Sequence, residues 1–73
     1  SMIKGQVSPD VTRAIIQRLG TDDAFREKML GDPAAAMAEH GVEVDPSQVP
    51  ATRRLPSKKE LQEGGEALGK QLE

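Results

Sequence analysis

Between Ser8 and Gly41 the chain writes a helix start and a helix stop three times in succession. In SPDVTRAIIQRLG, Ser8 offers a capping hydroxyl, Pro9 suits the first helical position, and Asp10 complements the positive end of the helix dipole. Val11, Ile15 and Leu19 recur at fours, Ile16 widens that stripe, and Gly20 is placed to end it. TDDAFREKMLG repeats the pattern: Thr21 is the expected cap, Asp22 and Asp23 fill the first turn, Phe25 and Met29 share a face, and Gly31 is the stop. DPAAAMAEHG repeats it again, with Asp32 as cap, Pro33 in the first position, Met37 as the apolar contact and Gly41 as the stop. Helices this short are unstable alone, so they must pack on one another, and the alanines let them approach closely.

The pattern changes after Gly41. VEVDPSQVPATRRLP carries three prolines and the alternating pair Val42 and Val44, which predicts an extended segment. SKKELQEGGEALGKQLE then opens on a capping box, Ser57 with Glu60 three residues later. Leu61, Leu68 and Leu72 give it a thin apolar stripe, and Gly64 and Gly65 each cost about 1 kcal/mol against alanine inside a helix. The expected fold is all-α: a cluster of three short helices, an extended Pro-containing segment, and a short C-terminal helix that frays or stops at the glycines. The expected divisions are a disordered N-terminus over 1–7, a helical domain over 8–41, an extended linker or recognition segment over 42–56, and a helix with a flexible tail over 57–73. Ser1 before Met2 reads as a cleavage scar.

Composition limits what this fold can hold. The chain has 73 residues, 36% of them hydrophobic, with Phe25 as the only aromatic and no cysteine. A core built on one ring and many alanines is modest and unsupported by disulfides. The absence of cysteine is compatible with the cytoplasm. No apolar run is long enough to span a bilayer, and no secretory pattern opens the chain. A net charge of −2 does not favour general nucleic-acid binding.

Candidates for chemistry are few. His40 is the only histidine, and Glu39, Glu43 and Asp45 do not complete a metal-ligand spacing with it. Before Gly41 it reads as a side chain suited to a helix C-terminus. Asp22 and Asp23 read as first-turn acids rather than a catalytic pair. Arg53, Arg54, Lys58 and Lys59 form the one basic cluster, without interleaved aromatics, and read as a solvated linker more readily than as a nucleic-acid patch. No catalytic residue, metal or cofactor is expected.

The string LGTDDAFREKMLGDPAAAMAEHGVEV resembles the leader region of nitrile-hydratase-related precursor peptides, and VPATRRLPSKKELQ is similar to the next segment in the NHLP-related branch of that family. The likeness covers roughly Ser8 to Leu61. It implies a substrate of a ribosomal natural-product (RiPP) pathway: a leader recognised by a maturation enzyme or recognition domain, a modified C-terminal part, and removal of the leader by a peptidase-transporter. Under that resemblance the residues open to partner recognition are Phe25, Arg26, Asp32, Pro33, Val42, Val44, Val49, Leu55 and Pro56, and Gly64 and Gly65 mark a leader-cleavage position. Val42 to Leu55 would add a strand to a partner sheet, or the helices would dock with Phe25 and Arg26 as anchors. The structural alternative for Phe25 is the centre of the core.

Two features bear on that expectation. No Cys, Ser or Thr comes after Ser57, so either the product-forming residues lie outside this sequence, or a modification falls on Lys, Gln, Glu or the terminus, or the leader fold is used differently. A cut after Gly65 would place Gln62 and Lys59 where such leaders carry apolar residues, with Leu61 one step out of register. The alternatives are a small helical subunit or adaptor that packs on a larger enzyme and, third, a DNA-associated regulator. Residues Ser8 to Gly41 are expected to resist amide exchange and those beyond Gly64 to exchange freely.

Overall fold

The structure, a computed structural model, describes residues 2–51 and 53–64. It is helical, as the punctuation predicts: α1 (Pro9–Leu19), α2 (Asp23–Gly31), α3 (Pro33–Ala38), a single 3-10 turn (Pro46–Gln48), and α4 over 58–64. Each start is held by its own side chain. Ser8 accepts from the Val11 amide, Asp22 from Phe25, Asp32 from Ala35 and Asp45 from Ser47. The cap of α2 is therefore Asp22 and not Thr21, whose hydroxyl instead donates to the Gln17 carbonyl at 2.9 Å. Asp32 closes α2 and opens α3, so a single residue separates the two helices.

Gly41 is the stop that the backbone requires. It sits at φ +72°, the Val42 amide donates to the Met37 carbonyl at 3.1 Å, and the Gly41 amide donates to Ala38 at 3.0 Å. This is a Schellman closure, with its usual apolar contact made by buried Met37 and Val42. The turn throws the chain back across the helices. Ile15, Phe25, Ala36, Met37, Val42 and Val44 form the buried core, and Phe25 is its largest fully buried side chain. Ile16 does not join the stripe: it is 43% exposed, because Val11, Ile15 and Leu19 already fill the narrow face that α1 turns inward.

Two of the expected divisions are redrawn. Residues 2–5 are not a free end, since Ile3 faces Val44 in an antiparallel bridge. The Lys4 amide donates to the Glu43 carbonyl at 3.0 Å and the Asp45 amide to the Met2 carbonyl at 2.8 Å. Nor is 42–45 a linker, because its alternate valines are core residues and its backbone therefore needs a partner inside the fold. The N-terminus supplies one, and Gly5, at φ +77°, turns the chain from that pairing toward α1.

The capping box of α4 forms reciprocally: the Glu60 amide donates to Ser57 Oγ at 3.0 Å, and the Ser57 amide to Glu60 Oε1 at 3.3 Å. The helix lies against the α1–α2 corner. Gln62 Nε2 donates to the Gly20 carbonyl at 2.8 Å, Lys58 Nζ is 2.9 Å from Asp23 Oδ1, and buried Gly20 leaves room for Leu61. Helix is described as far as Gly64. Gly65 and the expected tail lie outside the described residues.

Candidate docking surface

Residues proposed for recognition divide into three groups. Phe25, Val42 and Val44 are inside the core, so their side chains anchor the fold and are not available to a partner. The backbone of Val44 is already bracketed by residues 2–4, which occupy one edge of the segment that strand addition would use. Arg26 and Asp32 serve local architecture: Arg26 Nη1 donates to the Leu19 carbonyl at 2.8 Å, tying α2 to the end of α1, and Asp32 is the shared cap. Pro33, Val49 and Leu55 come together. Pro56 is exposed beside them without lining the same surface, and Gly64 closes the described part of α4.

Pro33, Val49 and Leu55 line an open apolar groove of about 240 Å³ with Met2, Met29 and Leu30. Four segments make it: the N-terminus at Met2, the last turn of α2, the first of α3, and the proline-containing segment that returns past them. Arg53 holds the wall in place, with Nη1 donating to the Leu30 carbonyl at 2.9 Å and Nε to the Pro50 carbonyl at 3.0 Å. One bond satisfies a carbonyl that the end of α2 leaves unpaired. Leu30 is 37% exposed. Neither Met2 nor Leu30 was legible as a lining residue, because the first arrives from the N-terminus and the second lies off the Phe25–Met29 face.

A polar clasp closes the opposite side of the core. The Arg18 guanidinium lies over the Phe25 ring, 4.1 Å from its centroid, while its Nε donates to Asp22 Oδ2 at 3.3 Å and Nη1 to Glu39 Oε1 at 2.9 Å. Lys28 Nζ donates to the other Glu39 oxygen at 2.6 Å. His40 meets Phe25 edge-on, with centroids 5.4 Å apart, and its Nε2 is 3.2 Å from Arg18 Nη1. A guanidinium only donates, which assigns Nε2 as an acceptor and the ring proton to Nδ1. His40 thus meets both Arg18 and the edge of the Phe25 ring. Among the described residues no cluster of His, Asp and Glu has the arrangement of a metal site.

The clasp makes stability depend on pH. The Asp22 carboxyl is held below its ordinary value chiefly by the Phe25 amide and then by Arg18. Glu39 is held down first by Lys28 and then by Arg18. Because both folded values lie below the unfolded ones, their contribution is fully present above the ordinary carboxylate range and is lost as pH falls through the folded values. Thermal melts from neutral to strongly acidic pH should show the midpoint falling over that window. Glu39→Gln should flatten the fall, and parallel wild-type and variant curves would remove Glu39 from the explanation.

The basic cluster is divided by the fold. Arg53 is engaged with carbonyls and Lys58 with Asp23, leaving Arg54 at the rim of the groove and Lys59 on the exposed face of α4. No helix among the described residues is long and apolar enough to cross a membrane. No family model matches the chain, and comparison with curated proteins and with solved structures finds no match either.

Proposed function

We propose that this chain is a RiPP precursor of the NHLP-related kind, in which the folded part is a leader read by a maturation enzyme or recognition domain and the C-terminal part is the substrate. The observation that carries this reading is the division of labour among the residues of the resemblance. Asp22, Phe25, Arg26, Asp32 and Pro33 specify a helix cap, a core, an interhelix tie and a second helix start, so the motif builds a scaffold. The surface this scaffold offers is the groove ending at Leu55, and the substrate part comes next in the chain. In this role the protein is acted upon and is not an enzyme, and it needs no cofactor or metal. Maturation in the cytoplasm, with subsequent leader removal in a peptidase-transporter, completes the scheme.

No thiol or hydroxyl follows Ser57 in this sequence, so a modification within it would fall on the side chains of Lys, Gln and Glu. Co-expression with the enzymes encoded beside its gene should shift the mass of the chain, with the change located by fragmentation beyond Ser57. An unchanged mass with every neighbouring enzyme would sink the precursor reading.

The docking of α4 favours a second reading, in which the chain is an adaptor that packs whole on a larger enzyme. A stable stoichiometric complex without any mass change is its signature.

A further inference from the structure

We propose that the groove bounded by Leu30, Pro33, Val49 and Leu55 is the docking site for an acidic, leucine-containing segment of the partner protein, with Arg54 as its electrostatic anchor. The inference deepens the leader reading and rests on it.

Size comes first. A volume of about 240 Å³ is below the roughly 300–1,000 Å³ of small-molecule sites, but it suits one or two aliphatic side chains inserted from a partner. The walls are aliphatic and include two methionines, Met2 and Met29, whose unbranched side chains adapt to the shape inserted.

Charge selects the partner. Both charged residues on the groove are arginines, and no carboxylate lines it, although the chain as a whole carries −2. The rim therefore opposes the sign of the rest of the molecule, which favours an acidic segment there and disfavours basic ones. Arg53 has its Nε and one terminal nitrogen committed to the Pro50 and Leu30 carbonyls. Arg54 is exposed and makes no hydrogen bond or ion pair among the described residues, so its planar fork is open to a carboxylate.

A second copy is a poor occupant. Among the described residues the other exposed large apolar side chain is Ile16, which lies beside Arg13 on α1; bringing it into the groove would set Arg13, paired with Asp10, close to Arg53 and Arg54. Phe25, the only aromatic side chain, is buried in the core, which leaves no stacking platform of the kind a nucleic-acid strand uses.

The test is an amide chemical-shift titration of the full chain with the synthetic peptide ELEELLE, run beside KLKKLLK and ESEESSE. Saturable shifts at Leu30, Val49, Arg54 and Leu55 with ELEELLE alone are expected, and Arg54→Glu should weaken that binding roughly tenfold while leaving the spectrum of the free protein folded. Absence of saturable binding, equal binding of KLKKLLK, or shifts centred on Ile16 would overturn the proposal. Shifts at the groove that grow with protein concentration before any peptide is added would assign it to a second copy. Cross-peaks from Leu68 or Leu72 to Leu30 in the free protein would assign it to the chain's own tail. Both results reject the partner segment. No maturation enzyme takes part, so failure here leaves the mass-shift test of the leader reading intact, and the reverse also holds.

Discussion

Phe25→Ala is expected to unfold the chain. Truncating a fully buried phenylalanine costs about 3–5 kcal/mol, and a single core in a chain of this size rarely supplies more than about 3–5 kcal/mol in total. Few other buried side chains can compensate, since the rest of the core is Ile15, Met37, two valines and an alanine. The ring also receives the Arg18 guanidinium on its face and the His40 ring at its edge, so its loss strips the clasp of its platform. Phe25→Leu separates these roles: it keeps most of the apolar volume and removes both aromatic contacts, a loss of about 1–2 kcal/mol from interactions of that kind. Circular dichroism melts should show no cooperative transition for Phe25→Ala and a lowered but cooperative one for Phe25→Leu. A Phe25→Ala midpoint within a few degrees of wild type would mean that the core lies elsewhere.

The same residue marks what was legible in the sequence. Cap and stop signals act within a few residues of themselves, so Ser8, Asp32, Gly41 and the Ser57–Glu60 box could be read directly and are realised as bonds. Two caps are shifted by one residue: Asp32, not Gly31, closes α2, and Asp22 replaces Thr21 where three adjacent residues can all cap and the Thr21 hydroxyl is drawn back to α1. Relations across the fold left no such trace. Arg18 finds Glu39 from 21 residues away, and nothing local distinguishes it from a solvated charge. Val42 and Val44 showed strand periodicity, but periodicity does not name the strand's partner, which proved to be the chain's own residues 2–4. The candidate site obeyed the same rule. Pro33, Val49 and Leu55 stand apart in the sequence, and their convergence with Met2 and Leu30 required the turn at Gly41 and the Arg53 strut.

These relations also change what a leader must do to be read. Recognition by strand addition at 42–45 would meet an edge already paired with residues 2–4, so a partner would have to displace that pairing or dock elsewhere. The groove needs no displacement. It also sits at the point where the scaffold gives way to Pro56 and α4, close in sequence to the part that the precursor reading assigns to modification.

How firmly α4 holds to the scaffold then decides how much of the chain can be presented, and Gly20 controls it. Its backbone is at φ −85°, an ordinary right-handed conformation, and an added Cβ would meet Leu61 Cβ and the Gln17 carbonyl at 3.5 Å, normal contact. Gly20→Ala should therefore leave α4 in place and stabilise the chain by about 0.4–1 kcal/mol, because alanine narrows the unfolded ensemble without straining the fold. Gly20→Leu places its further carbons where Leu61 lies, an overpacking that costs about 1–3 kcal/mol if the helix stays. Lifting α4 relieves that strain at the expense of the Gln62 bond to Gly20 and the exposed Lys58–Asp23 pair, which is worth little. The helix should leave. Amide exchange should lose protection over 58–64 in Gly20→Leu while Phe25 and Met37 stay protected, and protection there that equals wild type would show α4 to be held by more than this corner. The functional consequence separates the two readings of the protein. An adaptor that binds whole should bind more weakly once α4 is free, whereas a precursor should be modified at least as fast, since release lengthens the segment an enzyme can reach while leaving the groove at Leu30 and Leu55 unchanged.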